Sequence, residues 1–456
     1  MGACSGRGST VDFDGPVDLR HFTILRSIGK GSYGKVCIVR KKDTKQLYAM
    51  KYMSKARMIR KETVYNVLRE QDMLIKINHS NIVKLWFTFQ DEEDVFMVVD
   101  LLLGGDLGYH IEKYGRLSFD RVKLYVAEVG MALDYLKTKS IIHRDIKPAN
   151  LLLNSSGHVF LSDFNVACYI KPGIPVTSVT GTKPYMAPEM LAPPPEGYSH
   201  AVDWWGLGVT AYQLLRAQLP FRISCSEDHG VIAEHICHRR NLHVSSTWDD
   251  NIRILLHSLI QPDISRRITS VENLKTLSVF DGEDWDAIIL QTFTPPFVPP
   301  KNRIMCDPTY ELEEMIIEPN PLHKKERRLQ RRRSKNANVP EDAANDISHL
   351  FMPYNRIRSL DTTGRALSVE KEVLEGQRRA ASNNAKHKVS VSASTCSSEG
   401  NKSYNESITT QPSSNWQKKR SSDATVPVKQ RVSDSESSED EPLATGVTTV
   451  QLEHTV

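Results

Sequence analysis

What this chain of 456 residues lacks narrows its chemistry first. It has no run of about 20 apolar residues, the length a bilayer-spanning helix needs. Its best stretch, Val95 to Leu107, is broken by Asp100 and by Gly104-Gly105. No hydrophobic signal region opens the chain. Cysteine is sparse, with seven residues at positions 4, 37, 168, 225, 237, 306 and 396. The number is odd and no close pair has metal-ligand spacing. Reduced thiols in a cytosolic protein are therefore expected, with Cys37, Cys168 and Cys237 as small buried apolar side chains. A strong charge excess is missing too. The net charge of +4 is too mild to argue for a nucleic-acid binder, and no specific nucleic acid is expected as a partner. The chain has no internal repeats.

What it does have is concentrated between Ile141 and Asp163, IIHRDIKPANLLLNSSGHVFLSD. Asp145 closes a His-Arg-Asp triplet, Lys147 follows two residues on and Asn150 five residues on. Two apolar segments around a glycine turn then lead to Asp163-Phe164. A carboxylate, an amine, an amide and a second carboxylate thus sit on loops flanking a short hairpin. Phosphoryl transfer needs this set. One carboxylate orients the attacking hydroxyl, the lysine stabilises charge on the transferred group, and the amide and second carboxylate hold magnesium.

Upstream, the texture changes at Phe22 from a polar, glycine-rich arm (residues 1–21) to alternating strands. Gly29, Gly31 and Gly34 have G-x-G-x-x-G spacing, set strand-turn-strand rather than strand-turn-helix. Glycines let a backbone close over phosphates without a Cβ clash. Residues Ile28, Gly29, Lys30, Gly31, Ser32, Tyr33, Gly34, Lys35 and Val36 form this candidate nucleotide loop, and Lys51 follows fifteen residues after Val36. Thr63 to Ile77 has helical periodicity, with Glu70 in its middle as the candidate ion-pair partner of Lys51. Phe96 to Asp100 reads as an apolar strand, and Tyr109 to Thr138 as two helices.

These motifs resemble the catalytic loop, glycine loop and metal-binding aspartate of a eukaryotic serine/threonine protein kinase over residues 22 to about 280. Several stretches resemble, more narrowly, the YANK (serine/threonine kinase 32) family of the AGC group. They are FQDEEDVFMVVDLLLGGDL at 89–107, SDFNVA at 162–167, GTKPYMAPEM at 181–190, CDPTYELEEMI at 306–316 and PLHKKERRL at 321–329.

The resemblance implies an α+β, bilobal fold. A small lobe (22–98) would hold a five-stranded antiparallel sheet with one main helix, and a larger, mostly helical lobe would span 101–280. It implies ATP and Mg2+ as cofactors and protein serine and threonine hydroxyls as substrates. Asp145 and Lys147 would be catalytic, and Asn150 and Asp163 would bind the metal. Lys51, held by Glu70, would set the phosphates. Val36, Ala49 and Leu152 would enclose the adenine, met by the hinge at Asp100 and Leu102. Leu74, Leu85, His143 and Phe164 would form an apolar stack, Asp203 would brace the catalytic loop, and Glu189 would pair with Arg267. Ser178 is the candidate activation-loop phosphosite, with Thr177 and Thr180 as neighbours.

Two departures matter. The glycine that protein kinases generally carry after Asp163-Phe164 is Asn165, itself a feature of the YANK family; it tolerates left-handed φ less freely than glycine, so the segment is expected to flip less readily. Where relatives hold a substrate arginine with acidic residues, this chain has Asp106 but also Ala149 and Gln213. Its arginine preference is expected to be weak.

Residues 281–360 resemble the AGC tail. Phe351-Met352-Pro353-Tyr354 stands where such tails dock aromatics on the small lobe. The basic run 324–335, KKERRLQRRRSK, reads as a solvated helix, a nuclear-import or nucleic-acid patch, or a polybasic partner for anionic lipid. The lipid reading gains from Gly2 and Cys4, candidate acylation sites, although Gly6 stands where a hydroxyl residue is usual. Residues 361–456, rich in serine and poor in aromatics, are expected to be disordered. The expected state is a cytoplasmic monomer, peripheral at the inner face of the plasma membrane if acylated. Two rival readings of the same chain are a nucleotide-binding scaffold without activity and a membrane adaptor.

Overall fold

The computed structural model describes residues 12–13, 15–30, 34–223, 226–238, 248–292, 294–300, 305–306, 309–312, 322–325, 328 and 347–361. Gly2, Cys4, Gly31, Ser32, Tyr33, most of the basic run and the polar end beyond 361 lie outside them, and of Lys30 only the backbone is described.

The small lobe is an antiparallel sheet with period-2 side-chain sorting. Its strands are β1 (Phe22–Lys30), β2 (Lys35–Lys41), β3 (Leu47–Ser54), β4 (Leu85–Gln90) and β5 (Asp94–Val99). Helices α1 (Lys55–Arg60) and α2 (Val64–Lys76) lie between β3 and β4. Along β5, Val95 and Met97 join the core beneath α2, while Phe96 and Val98 join an aromatic layer on the opposite face. In that layer Phe89 stacks between Phe22 and Phe96, at 5.8 and 4.8 Å between ring centroids. Burial on both faces fixes the register, because a one-residue slip would exchange the two sets.

Five strands come from the small lobe, in the order β1-β2-β3-β5-β4, and the tail contributes a sixth beyond β4.

The large lobe is built on α4 (Phe119–Thr138), which follows α3 (Leu107–Tyr114). Asp106 caps α3 by accepting from Tyr109 N–H at 2.9 Å. After α4 come β6 (Ile141–Ile142), the hairpin β7 (Leu151–Leu153) and β8 (Val159–Leu161), and β9 (Cys168–Tyr169), which pairs with β6. Helices α5 (Pro188–Leu191), α6 (Ala201–Arg216), α7 (His229–His238), α8 (Asp250–Leu259), α9 (Val271–Lys275) and α10 (Trp285–Leu290) complete it. Helix α6 is apolar almost all round, and its Trp204 and Trp205 are fully buried against α4 and its neighbours.

Past α10 the chain returns across both lobes. Phe297 lies under the Arg121 guanidinium, 3.9 Å from its ring centroid. Met305 N–H donates to the Leu103 carbonyl at 3.3 Å. This approach requires Gly105, which has φ +75 and where a Cβ would fall 2.2 Å from the Met305 carbonyl. Lys325 and Arg328 then meet the β4–β5 turn. Finally β10 (Tyr354–Asn355) pairs antiparallel with β4, Tyr354 opposite Thr88 and Asn355 opposite Phe87.

The FMPY segment therefore docks as expected. Phe351 is buried. Gln71 and Thr88 both donate to the Met352 carbonyl, at 2.7 and 2.8 Å, and Gln90 donates to the Ser348 and Phe351 carbonyls. Arg356 reaches the carbonyl of Ile77 and the Asn78 side chain at the end of α2.

Two expectations need correction. Cys37 is buried and Cys168 half-buried, but Cys237 is exposed, because it falls on the solvent side of α7 while Ile232, Ala233 and Ile236 face inward. Part of the basic run is not a free polybasic surface. Lys325 is buried and paired with Asp91 at 2.9 Å, with Asp94 and with Glu93, and Arg328 reaches Glu93 at 3.0 Å.

Candidate active site

The loop from His143 to Asn150 is held from below. Asp203 on α6 is buried, and its two oxygens accept the backbone N–H groups of His143 (2.8 Å) and Arg144 (2.7 Å). That clamp matters because Arg144 has φ +68, a strained left-handed conformation for a non-glycine residue. The Arg144 side chain donates to the Val166 carbonyl at 2.7 Å, to the Ser178 hydroxyl at 2.7 Å and to the Tyr198 hydroxyl at 3.1 Å. The expected stack is present. Leu74, Leu85 and Phe164 share one core, and the His143 ring meets Phe164 edge-on at 4.9 Å.

Asp145 is the centre of a short network. Lys147 Nζ lies 2.8 Å from its Oδ2, and Thr182 donates its hydroxyl to Oδ1 at 2.6 Å. Lys147 also reaches Thr182 Oγ1 at 2.8 Å. Asn150 Nδ2 donates to Oδ2 at 2.9 Å and to the Asp145 carbonyl at 2.8 Å. Burial raises the Asp145 pKa, but the hydrogen bonds from Lys147 and Thr182 and the Lys147 charge outweigh it, so the carboxyl titrates below its usual range.

The second cluster spans the lobes. Lys51 on β3 donates to both oxygens of Glu70 on α2, at 2.9 and 3.1 Å. Its Nζ is 3.6 Å from Asp163 Oδ1. Burial alone would lower the Lys51 pKa; the charges of Glu70 and Asp163 hold it above the usual lysine value. Asp163 itself has φ +64. The left-handed residue of this turn is thus the aspartate, not Asn165.

Asn165 is buried. Its Nδ2 donates to Asp163 Oδ1, and its Oδ1 accepts from Lys51 at 3.4 Å.

The donors fit magnesium. Asp163 offers a carboxylate, and Asn150, with Nδ2 turned onto Asp145, offers its amide oxygen; both are hard oxygen ligands. Among the described residues no group of three or more His, Cys, Asp or Glu could hold a metal. A magnesium ion is commonly held by one or two protein oxygens and completed by phosphate and water.

At the glycine loop, a Cβ on Gly34 would fall 2.1 Å from the Tyr52 carbonyl, so only glycine fits that close approach. Val36 and Leu152 are half-buried and Ala49 is buried at the lobe junction. At the hinge, the Asp100 carboxylate is turned onto Lys84 N–H and Trp86 Nε1, at 2.9 and 2.6 Å. Any meeting of Asp100 with adenine therefore falls to its backbone.

In the sequence Thr182 stands out only as part of GTKPYMAPEM, and nothing there marks its contact with Asp145. Nor does anything there mark Tyr198, which donates to the Ser178 carbonyl at 2.7 Å, or Arg69, which reaches the Asn165 carbonyl at 3.4 Å.

A carboxylate with a lysine and a threonine hydroxyl on it, an oxygen-donor pair and a lysine anchored by a buried glutamate, placed between a β lobe and a helical lobe, define a protein kinase. Residues 22–278 match the family model of the protein kinase domain, and the chain belongs to that family. Within it, the chain is 47% identical over 334 residues to human serine/threonine-protein kinase 32B, covering 73% of this chain and 80% of that one. It is 45% identical over 368 residues to human serine/threonine-protein kinase 32C, covering 78% and 76%. A RAC family serine/threonine-protein kinase homolog of Dictyostelium discoideum is 35% identical over 285 residues, 62% of this chain and 63% of that one. The protein is an ATP-dependent serine/threonine kinase that uses ATP with Mg2+ and acts on protein substrates.

Proposed function

We propose that Asp145 accepts the proton of the attacking serine or threonine hydroxyl and that Lys147 stabilises the transferring phosphoryl group. Asn150 and Asp163 would hold Mg2+, which when bound would supply positive charge against the phosphates. Lys51, fixed by Glu70, sets the α- and β-phosphates. The observation that carries this reading is the network on Asp145, in which Lys147, Thr182 and Asn150 converge on one carboxylate. The bonds from Lys147 and Thr182 keep it ionised and oriented before substrate arrives. The test is transfer of labelled phosphate from ATP to a mixed protein substrate by wild type and Asp145→Asn. Loss of a general base costs roughly 10²- to 10⁴-fold, so the variant should bind nucleotide and lose nearly all incorporation. Equal incorporation by both would remove Asp145 from that role.

Ser178 is the activating phosphosite in this reading. The Arg144 guanidinium already touches its hydroxyl, so a phosphate there would find a charge-assisted partner in place. Acylation at Gly2 and Cys4 would bring the kinase, as a monomer, from the cytoplasm to the inner face of the plasma membrane. Lys325 and Arg328 are engaged by the acidic β4–β5 turn, so lipid attraction falls to the other basic residues of 324–335. Flotation with vesicles containing anionic lipid, comparing wild type with Gly2→Ala, tests this; equal flotation would refute it.

A further inference from the structure

Asn165 occupies a place that the catalytic roles above leave unused, and its contacts run in three directions. The Nδ2 amide donates to Asp163 Oδ1. The amide oxygen accepts from Lys51, the residue bound to Glu70. The backbone carbonyl accepts from Arg69, next to Glu70 on α2. The side chain is buried.

Asp163 needs such support. Its φ of +64 is a strained conformation, of the kind that persists only where the surroundings over-determine it. A glycine at 165 would relax the backbone and remove both side-chain bonds. Among the described residues, the aspartate would then be tied to the small lobe only through the 3.6 Å contact with Lys51.

We infer that Asn165 is a positioning residue for the metal-binding carboxylate: its amide takes Oδ1 of Asp163, steers Oδ2 toward the magnesium site and couples that orientation to the Lys51–Glu70 pair. The inference rests on the reading of Asp163 as a magnesium ligand. The carboxylate has lone pairs enough for this division, since an ionised side chain accepts about four hydrogen bonds. Asn165 is thus a local brace rather than a hinge, and the cost it removes is that of orienting Asp163 when the metal binds.

The experiment uses the full-length chain as Asn165→Gly, Asn165→Ala and Asp163→Asn beside wild type. Binding of ADP is measured by calorimetry without metal and across a Mg2+ titration, with thermal melts to show that each variant folds. Both Asn165 variants should raise the Mg2+ concentration needed for half-maximal tightening of ADP by roughly tenfold, the size of one lost charge-assisted hydrogen bond. Metal-free ADP affinity should stay within about twofold. Asp163→Asn should abolish the dependence on Mg2+. If the Asn165 variants keep the wild-type Mg2+ dependence while Asp163→Asn loses it, the inference fails and the metal role of Asp163 stands. If Asp163→Asn keeps it as well, both fail. An equal loss of metal-free and metal-dependent binding would mark general damage to the cleft and also overturn the inference. Should one Asn165 variant fail to melt cooperatively, the other decides.

Discussion

Replacing Phe351 by alanine should uncouple the tail from catalysis, and the size of the effect can be worked from its contacts. Phe351 is 3% exposed and belongs to the main core. Truncating such a phenylalanine costs about 3–5 kcal/mol. Around it, tail carbonyls take four side-chain hydrogen bonds from Gln71, Thr88 and Gln90. At about 1 kcal/mol each these are worth a similar amount, so the docked tail should lose roughly 10² to 10⁴ in its equilibrium constant and spend much of its time released. The release reaches the site through α2. Gln71 and the end of that helix lose Met352 and Arg356, and Glu70 on the same helix holds Lys51. If about 1.4 kcal/mol of the loss appears at Glu70, kcat/KM toward a protein substrate falls about tenfold. Activity would be measured alongside the rate of tryptic cleavage within 347–361, which should rise in parallel. Ile357→Ala is the control; that side chain is 38% exposed and its loss should stay within about 0.5 kcal/mol. A Phe351→Ala protein that is cleaved faster yet keeps full activity would refute the link to α2. One cleaved no faster would refute the docking energy.

Other measurements bear on separate parts of the molecule. Arg267 is fully buried with its guanidinium on both oxygens of Glu189 and on the carbonyls of Gln261 and Ala201. Arg267→Ala leaves a buried carboxylate unpaired and should destabilise the fold by about 3–5 kcal/mol in chemical denaturation, whereas less than about 1 kcal/mol would show that the pair carries little. The Asp145 carboxyl is held below the ordinary aspartate value of about 4. Its pairing therefore stabilises the fold above that pH and weakens only as pH falls through the lowered pKa. The kcat/KM profile should show no acid limb from this group between about pH 5 and 8, and a limb near 6 that Lys147→Met shifts upward would contradict the assignment. A peptide array should show little preference for arginine upstream of the target hydroxyl. Gln213 is neutral and accepts from the Tyr185 hydroxyl at 2.5 Å, and Asp106 is occupied as a helix cap, so a strong arginine preference would overturn this.

Much of this arrangement was legible in the sequence because it is local. His143 to Asn150 and Asp163 lie within 21 residues of one another, and glycine spacing and strand alternation carried the small lobe. Long-range pairs that depend on charge at fixed motif positions, Lys51 with Glu70 and Glu189 with Arg267, were legible through the resemblance. What the sequence hid was contact chemistry between distant segments. Nothing local marks Lys325 for burial. A lysine inside a basic run reads as solvated charge until the fold sets three carboxylates of the β4–β5 turn around it. Ion pairs of this kind offset a desolvation cost that composition cannot register. Asn165 shows the same limit in a smaller space. From sequence it is a poorer glycine, and backbone propensity is the only argument on offer. In the structure its backbone is not left-handed at all, and its amide matters more than its φ. Where most protein kinases have glycine, this residue thus replaces freedom of the chain with a bond to Asp163. With Asp163 braced as inferred, less would be needed from ligand or partner to arrange the site, and regulation would be better placed elsewhere. The Arg144–Ser178 contact and the docked tail are where the structure leaves room for it.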